Sequence, residues 1–301
     1  MVSINEAFAK RIIGVHGQKG EKWLASLDNL IGFCEKHWRC KISEPFELSY
    51  NYVAPITFEN GGEAVLKLCV PSADCLDEIH TLKHYNGGAL CHLVDSIDEQ
   101  GILIVERLKP GNNLKSANEK DAVKVAAPLI RWMKSLRLQN HYSFSTVSDN
   151  AFDLVKLRKH FEGRTSPFHG NVVAKVEGIF PQLAASQKDT YLLHGDVHHA
   201  NILSTNNSWK LIDPKGLMGE MEYEIFPFLI NNLPAASFEE VIERRIQLFE
   251  DELQIDIERT YAWSLYRSLL SAWWSIEDNM GISDTDLRII DLFNKKVSRP
   301  F

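Results

Sequence analysis

The stretch Leu193-His194-Gly195-Asp196-Val197-His198-His199-Ala200-Asn201-Ile202-Leu203, continued at Trp209-Lys210-Leu211-Ile212-Asp213-Pro214, carries the densest chemistry of the chain. Residues 191–193 and 209–212 are short apolar or β-favouring runs. Gly195 and the Asn206-Asn207-Ser208 turn signal interrupt them, so they read as strands around a loop. Asp196, Asn201 and Asp213 therefore fall on that loop and at strand ends, where a rigid scaffold presents catalytic groups. This is the layout of phosphoryl transfer. Asp196 is placed to orient or deprotonate a substrate hydroxyl. Asn201 and Asp213 offer hard oxygen donors to the Mg2+ that neutralises the phosphates of an ATP or GTP donor.

Each residue has a plainer reading: Asp196 and Asp213 as turn carboxylates, Asn201 as a strand-start residue. All three at kinase spacing between apolar runs outweigh it. Zinc is a second competitor, because His194 and His198 lie at i, i+4 with His199 beside them. That spacing puts two ligands on one face only in a helix, and Gly195 next to Asp196 argues for a loop.

The segment from Gly195 to Leu203, continued by Ile212-Asp213-Pro214-Lys215-Gly216-Leu217-Met218-Gly219-Glu220, closely resembles the aminoglycoside and hydroxyurea phosphotransferase family, and within it the streptomycin 6-kinase branch. The paired histidines and the Asp-Pro-Lys-Gly run are the specific part. The resemblance reaches back to Val65-Leu66-Lys67, Glu78 and Glu106-Arg107-Leu108-Lys109-Pro110-Gly111 and forward to the helix of Trp263 and Glu277, over roughly residues 45–290. It implies an α/β (α+β), two-lobed protein-kinase-like fold, with a small β-rich N-lobe (1–108) and a large, mainly helical C-lobe (109–301). It also implies a kinase that phosphorylates a hydroxyl of an aminoglycoside-like antibiotic. A kinase of a metabolic alcohol or sugar keeps the chemistry and changes the acceptor. A non-catalytic nucleotide-binding module keeps the fold, but Lys67, Asp196, Asn201 and Asp213 are all present, which argues against it.

Composition fits this assignment. A chain of 301 residues allows one large domain or two lobes with a cleft, and 45% hydrophobic with 24% charged residues excludes disorder. The cysteines at 34, 40, 69, 75 and 91 are odd in number and lack Cys-x-x-Cys spacing, as expected of free thiols in a reducing cytosol. Residues 1–20 do not read as a secretory signal, and no apolar run approaches the ~20 residues that span a bilayer. A cytoplasmic protein without a membrane partner is expected. A net charge of −7 argues against nucleic acid and permits a cationic small-molecule acceptor.

Along the chain, a helical period over 21–38 precedes strands expected at 46–53, 64–70, 91–95 and 102–106, with a helix over 74–85 that Asn86-Gly87-Gly88 stops. After Pro110-Gly111, helices are expected at about 118–139, 149–162, 167–186, 222–231, 237–252, 257–279 and 284–296.

A kinase needs a cation against the donor phosphates and a carboxylate to hold it. Lys67, in an apolar strand, and Glu78, on the next helix, are expected to fill these roles. Residues 54–63 lack the Gly-x-Gly-x-x-Gly of a phosphate-covering loop, and Gly61-Gly62 reads better as a hairpin turn; backbone donors near residues 50–54 remain available. The strand ending at Glu106 and Leu108 is expected to offer its backbone to the nucleotide base. Where the family usually has an aspartate that braces the catalytic loop, this chain has Glu224, which would brace from a longer stem. His198 and His199 are expected to brace the loop rather than transfer protons. The aromatic stripe of the helix over 261–278 is expected in the core, with Glu277 and Asp278 at its polar end facing the acceptor.

Overall fold

Asn5 opens the first helix: its side-chain oxygen accepts the Phe8 backbone N–H at 2.7 Å, supplying a partner that a helix N-terminus lacks. This helix, α1 (Glu6–Trp38), starts well before the expected 21–38 and bends at Gly17, whose φ of 54° suits glycine. Phe8 and Ile12 before the bend and Trp23 and Leu27 after it are buried in one apolar cluster. The molecule is seen in a computed structural model that describes residues 4–138 and 142–298. Position 139 of the expected third helix lies outside them, as do the three residues at each end of the chain.

Next come β1 (Cys40–Ile42), β2 (Tyr52–Phe58), β3 (Glu63–Leu68), α2 (Ala73–Tyr85), β4 (Leu93–Ile97) and β5 (Ile102–Glu106). The strands form one antiparallel sheet in the order β1-β2-β3-β5-β4. Side chains alternate across a strand, and the alternation decides what each face does. Ala54, Ile56, Leu66, Leu68, Ile102 and Ile104 pack under α1. Val53, Val65, Lys67 and Val105 face the other way, into a cleft.

The strand expected at 46–53 lies instead at Tyr52–Phe58, and residues 46–51 are irregular. Pro55 disguised it. Its carbonyl accepts from Ser43 N just where β1 has ended, so the missing proline N–H deprives no strand of a donor.

The rest of the chain is mainly helical: β6 (Pro110–Asn113), α3 (Glu119–Ser135), β7 (Ser145–Thr146), α4 (Ala151–His160), α5 (Gly170–Ala185), β8 (Tyr191–Leu193), β9 (Ile202–Thr205), β10 (Trp209–Leu211), β11 (Leu217–Gly219), α6 (Met221–Glu224), α7 (Phe226–Ile230), α8 (Phe238–Leu253), α9 (Ile257–Glu277) and α10 (Asp284–Lys296). The helix expected over 222–231 is two short ones, because Pro227 fits only the first turn of a new helix. Helix α9 is the axis of this region. Its Trp263, Tyr266 and Trp273 are buried, with Tyr266 stacked on Phe180 of α5 at 4.5 Å, so the aromatic stripe is core. Two small sheets, β10-β9-β6 and β7-β11-β8, carry the loops that face the cleft. Among the described residues no helix is long and apolar enough to cross a membrane.

Candidate active site

Strand β3 delivers Lys67 to the cleft face, where its Nζ lies 2.6 Å from Glu78 Oε1 of α2 and 3.0 Å from Asp213 Oδ1 just past β10. Only 4% of the lysine is exposed. Burial alone would depress its pKa, but the Asp213 and Glu78 carboxylates outweigh burial and hold it well above the usual lysine value. Burial lifts the pKa of Glu78 despite the lysine. It acts on Asp213 in the same direction, but there Lys67 prevails and the pKa falls. The Asp213 side chain keeps 48% of its surface open, consistent with its remaining the ionised partner. Asp213 has φ of 60°, an uncommon conformation for a non-glycine residue. Its neighbours hold it there: Ile212 N–H donates to the Asn201 carbonyl at 2.9 Å, and Lys215 N–H donates to the His194 carbonyl at 2.6 Å.

The loop bearing Asp196 is gripped at one peptide after another. Gly195 N–H donates to Glu224 Oε1 at 3.0 Å, and Gly195 C=O accepts from Arg267 of α9 at 3.3 Å. Gly195 has φ of 81°, and a Cβ there would come 2.4 Å from Leu217 Cδ2, so both conformation and space require glycine. Glu224 is fully buried, which raises its pKa to about 7. The Asn201 side-chain nitrogen donates to the Asp196 carbonyl at 3.1 Å and to its carboxylate at 3.4 Å, leaving the amide oxygen free to serve as a ligand.

The histidines lie within this arrangement, with His198 Nε2 3.7 Å from Asp196 Oδ2. His194 uses Nδ1 to accept from Asp196 N–H at 3.2 Å and Nε2 to bond the Ile212 carbonyl at 2.9 Å, and burial lowers its pKa to about 4. With both ring nitrogens engaged, it cannot form a zinc pair with His198. His198 accepts the Ala200 N–H at 3.2 Å, and His199 stacks on Phe228 at 4.1 Å.

Two cavities flank these groups. One, of about 640 Å³, is lined by Val53, Val65, Lys67, Leu108, Ile212 and Asp213 among others. The other, of about 600 Å³, has Asp196, Lys215, Arg267, Glu277 and Asp278 in its wall. A larger cavity of about 840 Å³, lined by residues such as Asn118, Leu233 and Arg244, contains none of these groups.

A family model described as aminoglycoside/hydroxyurea antibiotic resistance kinase matches residues 39–279. The chain belongs to this family. Relatives of this kinase include a hydroxyurea phosphotransferase from Kitasatospora aureofaciens, 27% identical over 87% of this chain and 77% of that one. A streptomycin 6-kinase from Streptomyces griseus is 25% identical over 88% of each chain. Among solved structures, a thermostable mutant of an aminoglycoside phosphotransferase, in ternary complex with ADP and hygromycin B, superposes with a TM-score of 0.65 at 16% identity, covering 89% of this chain and 98% of that one. The two-lobed kinase-like fold and a phosphotransferase with an alcohol acceptor follow from these matches.

The kinase brings Lys67, Glu78 and Asp213 into one cluster and Asp196 with Asn201 into another, and it sets Glu277 and Asp278 in the wall that holds Asp196. Glu106 departs from expectation in part. Its backbone N–H already donates to the His92 carbonyl at 2.8 Å, and its carboxylate holds Lys210 at 2.6 Å and the His92 N–H at 3.0 Å. Sequence reasoning missed Asp74, Asp77 and Asp149 of the acidic cavity. Asp74 reads as a helix-start carboxylate, and nothing local marks the three as neighbours. It also missed the loop over the first cavity. Residues 54–63 include the β2–β3 hairpin, closed by Gly61 N–H to the Phe58 carbonyl at 2.9 Å, whereas Phe46, Glu47 and Ser49, between β1 and β2, line the cavity.

Proposed function

We propose that this kinase transfers the γ-phosphoryl group of a nucleoside triphosphate to a hydroxyl of a drug-sized cationic acceptor of the aminoglycoside class. The observation that carries the acceptor class is the second cavity. Asp74, Asp77, Asp149, Asp196, Glu277 and Asp278 line it, against two cations, Lys215 and Arg267, of which Arg267 is bonded to backbone carbonyls. A cleft so dominated by carboxylates draws cations. Its volume of about 600 Å³ suits a drug-sized molecule and would leave one as small as hydroxyurea loosely held.

On this reading Lys67, steadied by Glu78, meets the donor phosphates. The Glu106 carbonyl and Leu108 backbone meet the base between apolar walls that include Val53, Val65 and Ile212. Asn201 and Asp213 fit magnesium: among the described residues nothing bonds the amide oxygen of the first, and the side chain of the second is about half exposed. Among the described residues no three His, Cys, Asp or Glu side chains gather to hold a metal unaided. Magnesium bound there supplies charge neutralisation of the β- and γ-phosphates. Asp196 orients the acceptor hydroxyl and takes its proton as the oxygen attacks the γ-phosphorus; the bond to the β-phosphate oxygen breaks and the nucleoside diphosphate leaves. The free cysteines accord with a cytoplasmic setting.

The test is a salt series of the apparent affinity for streptomycin at saturating magnesium nucleotide, for wild type and for the double variant Glu277→Gln, Asp278→Asn. Exposed pairs each contribute ~0.2–1 kcal/mol, so affinity should fall as salt rises, and the variant should be weaker and less salt-sensitive. Affinity flat in salt and unchanged in the variant, with turnover of a neutral sugar instead, would refute the cationic acceptor.

A further inference from the structure

The loop over the donor cavity, residues 43–51, contains no glycine, yet Phe46, Glu47 and Ser49 form part of the cavity wall. Glycines ordinarily let such a backbone approach phosphate. Here Glu47 even brings a negative charge to the wall, so attraction for phosphate has to come from main-chain N–H groups, and the orientation of individual peptides matters. The start of the loop is fixed by Ser43 N–H to Pro55 C=O and Phe46 N–H to Val53 C=O, each at 2.9 Å, and buried Leu48 pins its middle to the core under the sheet.

Beyond Leu48 the loop is held from outside. Arg11, on the first limb of α1, donates through Nη1 to the Ser49 carbonyl at 3.1 Å, and its Cζ lies 5.4 Å from the Tyr50 ring centroid. The limb that carries Arg11 is itself anchored. Phe8 and Ile12 are buried, Gly20 abuts Ile12 so closely that a Cβ would lie 2.6 Å from its carbonyl oxygen, and Gly14 faces the Asp278 carbonyl at the end of α9. This limb precedes residue 39, where the family match begins.

In a trans peptide the carbonyl and the following N–H point in opposite directions. Arg11, by drawing the Ser49 carbonyl toward itself, therefore fixes the direction of the Tyr50 N–H as well. We infer that Arg11 is a positioning residue for the donor: it sets the Ser49–Tyr50 peptide so that its N–H meets the outer phosphates of the nucleotide, doing from outside the loop what glycines do from within. This rests on the donor-cavity reading proposed above.

The experiment is calorimetric binding of ATP and of AMP, each with magnesium, to the full chain as wild type, Arg11→Met, Arg11→Lys and Tyr50→Leu, with a thermal melt on each. Arg11→Met should weaken ATP by about threefold to tenfold, the worth of one exposed charged hydrogen bond, and leave AMP unchanged; Arg11→Lys should recover part of the loss. Tyr50→Leu, which leaves the Ser49 carbonyl in place, should show a smaller loss in the same direction. Equal weakening of ATP and AMP, or no weakening of ATP, would overturn the inference while the donor cavity stands. A wild type that binds neither nucleotide would overturn the donor-cavity reading and this inference with it.

Discussion

Replacing Glu224 by glutamine isolates a buried carboxyl on which the Asp196 loop hangs. Burial raises its pKa from 4.5 to about 7. A carboxyl whose pKa is higher in the folded chain binds its proton more tightly there than in the unfolded chain. Its contribution is therefore most favourable below the unfolded value and is lost as pH rises through the folded one. The window runs from 4.5 to about 7, and at 1.36 kcal/mol per pKa unit the loss across it is on the order of 3 kcal/mol. Glutamine keeps an oxygen for the Gly195 N–H but does not titrate. Urea unfolding of wild type and Glu224→Gln from about pH 4 to about pH 8 gives the difference between them at each pH, in which the other ionisable groups cancel. Wild type should lose stability relative to the variant as pH rises, by roughly that amount. Parallel curves would refute the reasoning. The opposite slope would mean that Arg267 and the backbone N–H groups dominate over burial and keep Glu224 ionised throughout.

Lys67→Met leaves Glu78 and Asp213 facing each other without their shared cation and should destabilise the chain by about 3 kcal/mol, the low end for breaking a buried pair because Asp213 is half open. Chemical denaturation measures it, and a variant as stable as wild type would contradict the shared lysine. Asp213→Asn should weaken magnesium-nucleotide binding far more than binding of the nucleotide without metal; calorimetry showing an unchanged metal dependence would point to another ligand. Asp196→Ala should abolish transfer while nucleotide affinity stays within a few fold, so near-normal turnover would remove Asp196 from the chemistry. Gly216→Ala should lower the melting temperature. Its φ is 69°, and the new Cβ would sit 2.0 Å from Thr81 Oγ1 and 2.6 Å from the Asp77 carbonyl, a strain of roughly 1–3 kcal/mol. An unchanged melt would show that α2 can move aside freely.

Where function rides on local chemistry, the sequence was legible. Asp196, Asn201 and Asp213 lie on one loop and its flanking strands, Lys67 sits in an apolar strand that a lysine would otherwise avoid, and Glu224 stands where a loop brace belongs; the structure joins Lys67 to Asp213 across the cleft, Asn201 to Asp196 within the loop, and Glu224 to the Gly195 N–H. The acidic cavity was only half legible. Glu277 and Asp278 end a helix already singled out, whereas Asp74, Asp77 and Asp149 come from two other places in the chain, and only tertiary packing makes them neighbours. The loop over the first cavity was misplaced because Pro55 hid a strand and the glycines at 61 and 62 drew attention to a hairpin. Nothing local tied Arg11 to Ser49: the two are 38 residues apart, and the bend at Gly17 that helps to shape α1 is invisible to hydrophobic periodicity.

The lysine that spans the cleft gives the site an internal salt of its own. Lys67 belongs to the sheet region and Asp213 to the helical one, and each neutralises the other before any ligand arrives. A lone phosphate meets an ammonium already matched by two carboxylates, and a lone divalent ion meets an aspartate already matched by an ammonium. Under the proposed roles, a metal and a polyphosphate arriving together would offer both groups a replacement counter-ion at once. On the proposed reading, loading the donor would be an ion exchange, in which Lys67 would turn from Asp213 to phosphate and a metal would take the place of the lysine beside Asp213.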